Sequence, residues 1–320
     1  MKSPGIHEQG FLQRRPDAVS WLVVCCHIAF VFAPVYLAAT LPLGPHVVLL
    51  WLWFGFTQNG LINLLHECAH ELTFRRRPAA RWLGTWLLAP LVLTDFQGYR
   101  ERHWQHHREL GTVHDLKLVY RVDIHGTRVL RFLASCLVGY EGVRLLRSSG
   151  ASGERSSPAL QSLARVAVVH ACLLASLVTV AWLSHRELAS TLLASAVAYG
   201  LVYGYGLASL TVFAAGLRAI AEHQIGPDAP ESVGEAALRN FRSQPLSRLL
   251  MGAYGFAEHA THHREPAIPY YHLPAATLEL AQAEPRLAPR KGYFETLAML
   301  ISGPGASAPG AREPSSETQQ

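Results

Sequence analysis

Four long stretches of the chain contain no Asp, Glu, Lys or Arg, at residues 18–41, 46–65, 166–183 and 188–217. About 20 apolar residues in a helix cross a hydrocarbon core of about 30 Å, so each stretch is long enough to span a membrane. We therefore predict transmembrane helices at about residues 18–41, 46–70, 166–183 and 188–217. Only Ser184-His185-Arg186-Glu187 separates the last two, which predicts a tight helical hairpin.

A further apolar run, at residues 82–94, contains Pro90 and is followed by Asp95. It is too short for a crossing, so we predict an interfacial or re-entrant segment there. The first long stretch follows Arg14 and Arg15, as the apolar part of a signal peptide also would. Its 24 uncharged residues exceed the usual length of about 7–15 for such a part, so we interpret it as a transmembrane helix.

The composition supports this pattern, because half of the chain is hydrophobic and only 16% is charged. That charged fraction is low for a soluble domain. The sequence therefore predicts an all-α membrane protein with four transmembrane helices and a helical cap at residues 71–165 and 218–302. We expect residues 1–302 to form one domain, and the Gly-, Pro- and Ser-rich residues 303–320 to form a disordered tail.

The basic residues predict the orientation. Of the 28 Lys and Arg, three precede the first span, fifteen lie at residues 71–165, nine lie from residue 218 onward, and Arg186 alone belongs to the opposite side. Cytoplasmic segments carry the Lys and Arg excess. Both termini and the cap should therefore be cytoplasmic, in the inner membrane of a bacterium or the endoplasmic reticulum of a eukaryote. The net charge of +5 indicates anionic lipid contact and no nucleic-acid partner.

The histidines form three clusters with helical spacing. Two copies of His-x-x-His-His and one His-x-x-x-His pair are present: His103, His106 and His107; His259, His262 and His263; His66 and His70. Residues at i, i+3 and i+4 of a helix share a face, so each triplet can direct three imidazoles at one point. Zinc sites take three or four protein ligands, whereas these clusters hold eight histidines. The spacing therefore predicts a centre with more than one metal ion.

These segments resemble the integral-membrane fatty acid desaturase and hydroxylase superfamily, whose members carry three histidine boxes. HECAHELTF at residues 66–74 is similar to the first box, RERHWQHHRELGT at residues 100–112 to the second, and HATHHREPAIPYYHLP at residues 259–274 to the third. RAIAEH at residues 218–223 is similar to the segment after the fourth span that supplies a further ligand. The resemblance implies nine ligands: His66, His70, His103, His106, His107, His223, His259, His262 and His263.

The resemblance also implies the activity. Members hold two non-haem iron ions and use O2 as co-substrate to introduce a double bond into a fatty acyl chain or lipid. The alternatives on the same scaffold are hydroxylation or ketolation of a lipid, a carotenoid or an alkane. The five cysteines form no Cys-x-x-Cys pair and no Gly-x-Gly-x-x-Gly segment is present, so electrons should come from an external ferredoxin or small cytochrome with its reductase.

Several polar residues lie beside the proposed ligands. Metal-bound histidines usually donate their second N–H to a carboxylate or carbonyl. The candidates for such outer partners are Glu67, Asp95, His114, Asp115, Glu222, Glu258 and Asn63. His114, close to the second box, is also a candidate substitute ligand. Some members carry an Asn shortly before the third box, where this chain has Gly252-Ala253-Tyr254-Gly255.

A different reaction class is suggested by the first cluster. His66-Glu67-Cys68-Ala69-His70 is a literal His-Glu-x-x-His, the zinc metalloprotease motif, in which Glu67 would be the general base. An intramembrane protease would need only one further ligand. It would leave both His-x-x-His-His clusters unexplained, as would a histidine-rich metal transporter, so the oxygenase interpretation accounts for more of the sequence.

Overall fold

The computed structural model describes residues 10–110, 112, 114–115, 126–151, 159–223, 238–242 and 244–302. Within them the backbone is helical apart from turns, loops and one isolated β-bridge between Phe241 and Lys291. Four of the described helices are long and apolar enough to cross a membrane. The predicted all-α fold with four transmembrane helices is therefore confirmed. The predicted disordered tail, residues 303–320, lies outside the described residues.

The helices in chain order are α1 (Asp17–Thr40), α2 (His46–Ala69), α3 (Arg77–Leu83), α4 (Phe96–Glu109), α5 (Thr127–Leu137), α6 (Tyr140–Ala151), α7 (Ala159–His185), α8 (Leu188–His223), α9 (Pro245–Leu250), α10 (His259–Arg264), α11 (Leu273–Ala283) and α12 (Tyr293–Ser302). Helix α3 continues through a π-helical turn, Gly84–Leu88, into Ala89–Leu91. Helix α8 contains two π-helical stretches, Val197–Tyr205 and Leu207–Thr211.

Helices α1, α2, α7 and α8 are the four apolar helices, and the last two extend beyond their uncharged runs. Helix α8 continues through Arg218 and Glu222 to His223. A charged residue ends an uncharged run in the sequence, but the backbone hydrogen bonds of a helix can continue past it. The extension matters for the site, because it places His223 on the end of a transmembrane helix.

The apolar helices pack closely through aromatic and small residues. The rings of Phe32 on α1, Phe54 on α2 and Tyr203 on α8 lie 5.4 to 6.0 Å apart, centre to centre. At Gly55 a Cβ would lie 2.4 Å from the Cβ of Leu210. Helices α2 and α8 can therefore approach each other only because residue 55 has no side chain.

Two histidines inside the apolar helices link neighbouring elements. His27 Nδ1 on α1 lies 2.7 Å from the Tyr254 hydroxyl, and His170 Nδ1 on α7 lies 2.8 Å from the Tyr199 hydroxyl of α8. His170 Nε2 also lies 3.1 Å from the carbonyl oxygen of Pro90. Polar side chains in a membrane-spanning helix commonly bond an adjacent helix in this way. Both contacts hold helices together outside the histidine clusters.

The segment at residues 82–94 forms a short helix instead of a fifth apolar span. The helix ends at Leu91 and the chain turns at Leu93, whose φ is 56°. Asp95 then caps α4 by accepting a hydrogen bond from the Gly98 amide at 2.7 Å. Trp82 and Trp86 on this segment are more than half exposed. Tryptophan is enriched at membrane–water interfaces, so these side chains support the interpretation as an interfacial segment.

A left-handed turn precedes α10, the helix of the third histidine cluster. Tyr254 and Gly255 have φ values of 54° and 77° inside the 3₁₀ turn Ala253–Glu258. A Cβ on Gly255 would lie 2.5 Å from Leu273 Cδ1 and 3.3 Å from Tyr270 Cα. Glycine therefore meets two needs here, the backbone conformation and the close approach of α11.

We expect Gly255→Ala to destabilise the protein by about 1–3 kcal/mol, because a left-handed conformation with a side chain is strained. Thermal unfolding in detergent should show a lower melting temperature than the wild type. Gly200→Ala is the matched control, because a Cβ there meets nothing within 4 Å. Its melting temperature should be unchanged or slightly raised, and equal melting temperatures for the two variants would contradict the role of the turn.

Candidate metal centre

The structure brings together imidazoles from four separate parts of the chain. They come from the end of α2, from α4, from the end of α8 and from α10. The residues are those that the resemblance implies: His66, His70, His103, His106, His107, His223, His259, His262 and His263. Helix α4 has Asp95 as its cap, and α10 starts directly after the left-handed turn. Both short helices are thus held at their N-termini, next to the ends of α2 and α8.

Among the described residues the imidazoles form two groups. One consists of His66, His70, His103, His107 and His262, whose donor atoms all lie within 4.8 Å of one another. The other consists of His106, His223 and His263, by the same criterion. His259 belongs beside the second group, because its Nε2 lies 2.7 Å from His223 Nε2. The arrangement offers five imidazoles at one position and four at another.

Each His-x-x-His-His triplet is divided between the two groups. The expectation that a triplet directs three imidazoles at one point is therefore wrong. In α4, His103 and His107 belong to the group of five and His106 to the group of four. In α10, His262 belongs to the group of five, and His259 and His263 to the group of four. Residues four apart on a helix differ by about 40° around its axis, but neighbours differ by about 100°. The i and i+4 histidines of each triplet consequently belong to one group, and the i+3 histidine belongs to the other.

The distances within the groups fit metal ligation. His70 Nε2 lies 2.6 Å from His103 Nε2 and 3.1 Å from His262 Nε2, and His107 Nε2 lies 3.1 Å from His103 Nε2. A divalent metal ion takes imidazole nitrogen at about 2.0–2.1 Å, so two such ligands at right angles lie about 3 Å apart. A cation at the middle of such a group explains why these nitrogen atoms lie so close together, since no proton between each pair is then needed.

Burial supports the same conclusion. His66 is only 3% exposed, and within the described residues neither of its ring nitrogens has a hydrogen-bond partner, nor does His263 Nε2. A buried polar group without a partner is costly, and a metal ion at each group would satisfy one nitrogen of each ring. Burial, reinforced by the neighbouring imidazoles, holds the pKa of His263 well below its usual value. The ring is therefore neutral, which is the form that binds metal ions.

Two of the expected carboxylates contact imidazoles of the four-membered group. Asp115 is buried, and His106 Nδ1 lies 3.0 Å from both of its carboxylate oxygens. Glu222 Oε2 lies 3.9 Å from His259 Nδ1. In both cases the carboxylate faces Nδ1, which leaves Nε2 for the metal ion. The contact between His106 and Asp115 is the usual hydrogen bond of an imidazole ligand with its outer partner. The separation between His259 and Glu222 is longer than a hydrogen bond and is an electrostatic contact.

Glu67 and Asn63 lie near the centre on α2. Glu67 is fully buried, with its Oε1 3.6 Å from His66 Nδ1. The Asn63 amide donates to the carbonyl oxygens of Met251 and Ala253, at 3.3 and 3.0 Å, which ties α2 to the turn before α10. Asn63 is thus a structural link between two ligand-bearing segments.

Three expected partners lie elsewhere among the described residues. Asp95 caps α4, and the Glu258 carboxylate lies 2.7 Å from Arg248 Nη2. The His114 side chain is exposed, and its carbonyl oxygen accepts a hydrogen bond from Gln105. None of the three belongs to the clustered donors. Sequence proximity suggested them, but the direction of each side chain depends on its local backbone.

Several further residues support the centre, and their positions beside it could not be predicted from the sequence. Arg218 contacts Glu222, and Tyr293 places its hydroxyl 3.3 Å from Glu222 Oε1. Burial, reinforced by that carboxylate, raises the pKa of Tyr293 well above its usual value, so its hydroxyl remains a donor. Asn240 accepts a hydrogen bond from the Thr261 amide at 3.0 Å and thereby fixes α10. Only the i, i+4 spacing of Arg218 and Glu222 was visible in the sequence.

These features define a class: a helical membrane protein with a buried cluster of imidazoles divided into two adjacent groups that could each hold a metal ion. The family model for fatty acid desaturases matches residues 43–294. The chain therefore belongs to the fatty acid desaturase family. No curated protein matches the chain. Membership indicates an oxidoreductase of the membrane, and it disfavours the protease interpretation of the first histidine cluster.

Proposed function

We propose that the protein is a membrane-bound, non-haem di-iron oxygenase that introduces a double bond into a fatty acyl chain or lipid. The observation that carries the proposal is the division of nine clustered imidazoles into groups of five and four inside a fatty acid desaturase family match. A mononuclear site has no use for so many ligands. Imidazole suits several transition metals, and the family indicates iron.

Two bound iron ions would supply the redox chemistry by which O2 removes hydrogen from an unactivated C–H bond. Desaturation consumes the lipid, O2, two electrons and two protons, and it yields the alkene and two water molecules. Hydroxylation with the same consumption yields an alcohol and one water molecule. The electrons must come from a partner, for which we propose a ferredoxin or small cytochrome with its reductase.

The protein itself would position the ligands and exclude water. The Phe256 ring lies 4.6 Å from the His66 ring, and the Trp104 ring lies 4.7 Å from the His70 ring. His70 also lines a cavity of about 420 Å³ with Arg14, Arg100 and Trp104. We propose that this cavity gives the centre access to small molecules from outside, while the aromatic rings cover the remaining imidazoles. Exclusion of water from such a site limits side reactions.

The distribution of Lys and Arg supports one orientation in the membrane. We propose that residues 1–302 form one domain, with both termini and the metal centre on the cytoplasmic side. The ligand-bearing ends of α2 and α8 converge with α4 and α10, and a shared centre needs a shared side of the membrane.

The experiment that tests the proposal compares total lipids of a host with and without the gene by mass spectrometry. We expect a new lipid class that lacks two hydrogen atoms relative to its precursor and appears only when O2 is supplied. A product with one added oxygen atom would instead assign hydroxylation or, after further oxidation, ketolation. Unchanged lipids, carotenoids and alkanes, together with new peptide cleavage, would contradict the oxygenase and favour the protease.

A further inference from the structure

Arg218 is a largely buried cation near the end of α8 that contacts three residues around the candidate metal centre. Its Nη1 donates a hydrogen bond to Asn63 Oδ1 at 2.9 Å. Its Nε lies 3.7 Å from Glu222 Oε1, one helical turn further along α8. Its guanidinium carbon lies 3.8 Å from the centre of the Phe256 ring, a cation–π contact. With only 11% of its side chain exposed, Arg218 faces the protein interior and not the solvent.

Glu222 connects Arg218 to a proposed ligand. One carboxylate oxygen faces Arg218, and the other lies 3.9 Å from His259 Nδ1. The opposite nitrogen of the same ring, His259 Nε2, lies 2.7 Å from His223 Nε2. The ring is therefore oriented with Nδ1 toward the carboxylate and Nε2 toward the four-imidazole group.

The positive charge of Arg218 stabilises the Glu222 carboxylate. A buried carboxylate is costly unless a cation and hydrogen bonds stabilise it. Arg218 and Glu222 are spaced i, i+4, so their side chains meet on one face of α8. Asn63 holds the guanidinium from α2, which limits its freedom to turn away. The carboxylate is therefore held between Arg218 and His259.

We propose that Arg218 is a positioning residue of the metal centre, which holds Glu222 against His259 and thereby directs His259 Nε2 at the ion shared with His106, His223 and His263. The proposal rests on the proposed function only in that the centre binds metal ions. The effect of Arg218 on the centre would run through Glu222.

The test measures how fast a chelator removes Fe²⁺ from purified, anaerobically loaded protein. We compare Arg218→Met, Glu222→Gln, the double variant and the wild type. Loss of an outer partner of a ligand costs about 10–100-fold in metal affinity. We therefore expect each single variant to release one of its two Fe²⁺ ions about 10–100-fold faster than the wild type. The double variant should release it no faster than either single variant, because both changes remove the same contact.

The matched control is Arg248→Met. Arg248 also pairs with a carboxylate next to His259, at 2.7 Å from Glu258 Oε1, but that carboxylate faces away from the clustered donors. Its Fe²⁺ release should equal that of the wild type. If Arg218→Met does not fold, the double variant still decides the question, because it leaves no unpaired Glu222 charge.

Two results would overturn the proposal. One is a folded double variant that releases both ions at the wild-type rate. The other is a double variant whose effect is the product of the two single effects, which would show that Arg218 acts independently of Glu222. A wild-type protein that binds no Fe²⁺ would overturn the proposed function as well, whereas normal Fe²⁺ binding with insensitive variants would overturn only the role of Arg218.

Discussion

His262→Ala should abolish product formation and remove metal from the centre. His262 is 2% exposed, and its Nε2 lies 3.1 Å from His70 Nε2 within the five-imidazole group. An alanine there would remove one donor and leave a cavity in a site too buried for ready repair by solvent. Loss of an outer partner reduces activity about 10–100-fold, and we expect a larger loss of activity here. Lipid mass spectrometry and elemental analysis of the purified protein measure the two effects.

His114→Ala is the control for this experiment. Its side chain is exposed and lies outside the clustered donors, although the sequence made it a candidate ligand. We expect the wild-type metal content and the wild-type product yield from this variant. An active His262→Ala enzyme that still holds two iron ions per chain would contradict the assignment of His262 as a ligand, and an inactive, metal-free His114→Ala enzyme would restore His114 as a ligand.

A reporter fused at different positions of the chain should show on which side of the membrane each position lies. We expect fusions after Leu72 and Leu273 to report the cytoplasmic side, and a fusion at His185 to report the external side. Arg186 is the only basic residue assigned to the external connections, whereas Arg75, Arg76 and Arg77 follow α2 directly. The difference should be all or none, because a hydrocarbon core of about 30 Å separates the two locations.

The fusion after Leu273 carries the greatest weight, since it follows the third histidine cluster. An external signal there would place His259, His262 and His263 across the membrane from the first two clusters. That result would be incompatible with the contact of 3.1 Å between His262 Nε2 and His70 Nε2. A cytoplasmic signal at His185 would instead remove the helical hairpin of α7 and α8 from the membrane.

Much of the fold could be predicted because its signals are local. The four uncharged runs correspond to the four apolar helices, with ends that differ by a few residues at most for α1 and α2. Apolar length alone decides whether a helix can span a membrane. It could not predict that α8 continues to His223, because backbone hydrogen bonding carries the helix past Arg218, the charge at which the apolar run ends.

The identity of the candidate ligands was also predictable, but their outer partners were only partly so. Histidines spaced i and i+4 share a helix face in any context. Whether Asp115 or Asp95 reaches an imidazole depends on the loop or cap in which each residue lies. The structure places Asp115 on His106 and uses Asp95 as the cap of α4. From their positions in the sequence alone, the two carboxylates were equally good candidates for an outer partner.

The sequence by itself determined the helices, the spacing of the histidines and the membership of the family, because these depend on periodicity and on motifs within short segments. Only the tertiary structure decided how the imidazoles are shared. His103 and His107 of α4 join His262 of α10, whereas His106 joins His263 and His223. The physical reason is that a helix fixes the angles between its own side chains, while the angle between two helices is set by the packing of the residues around them.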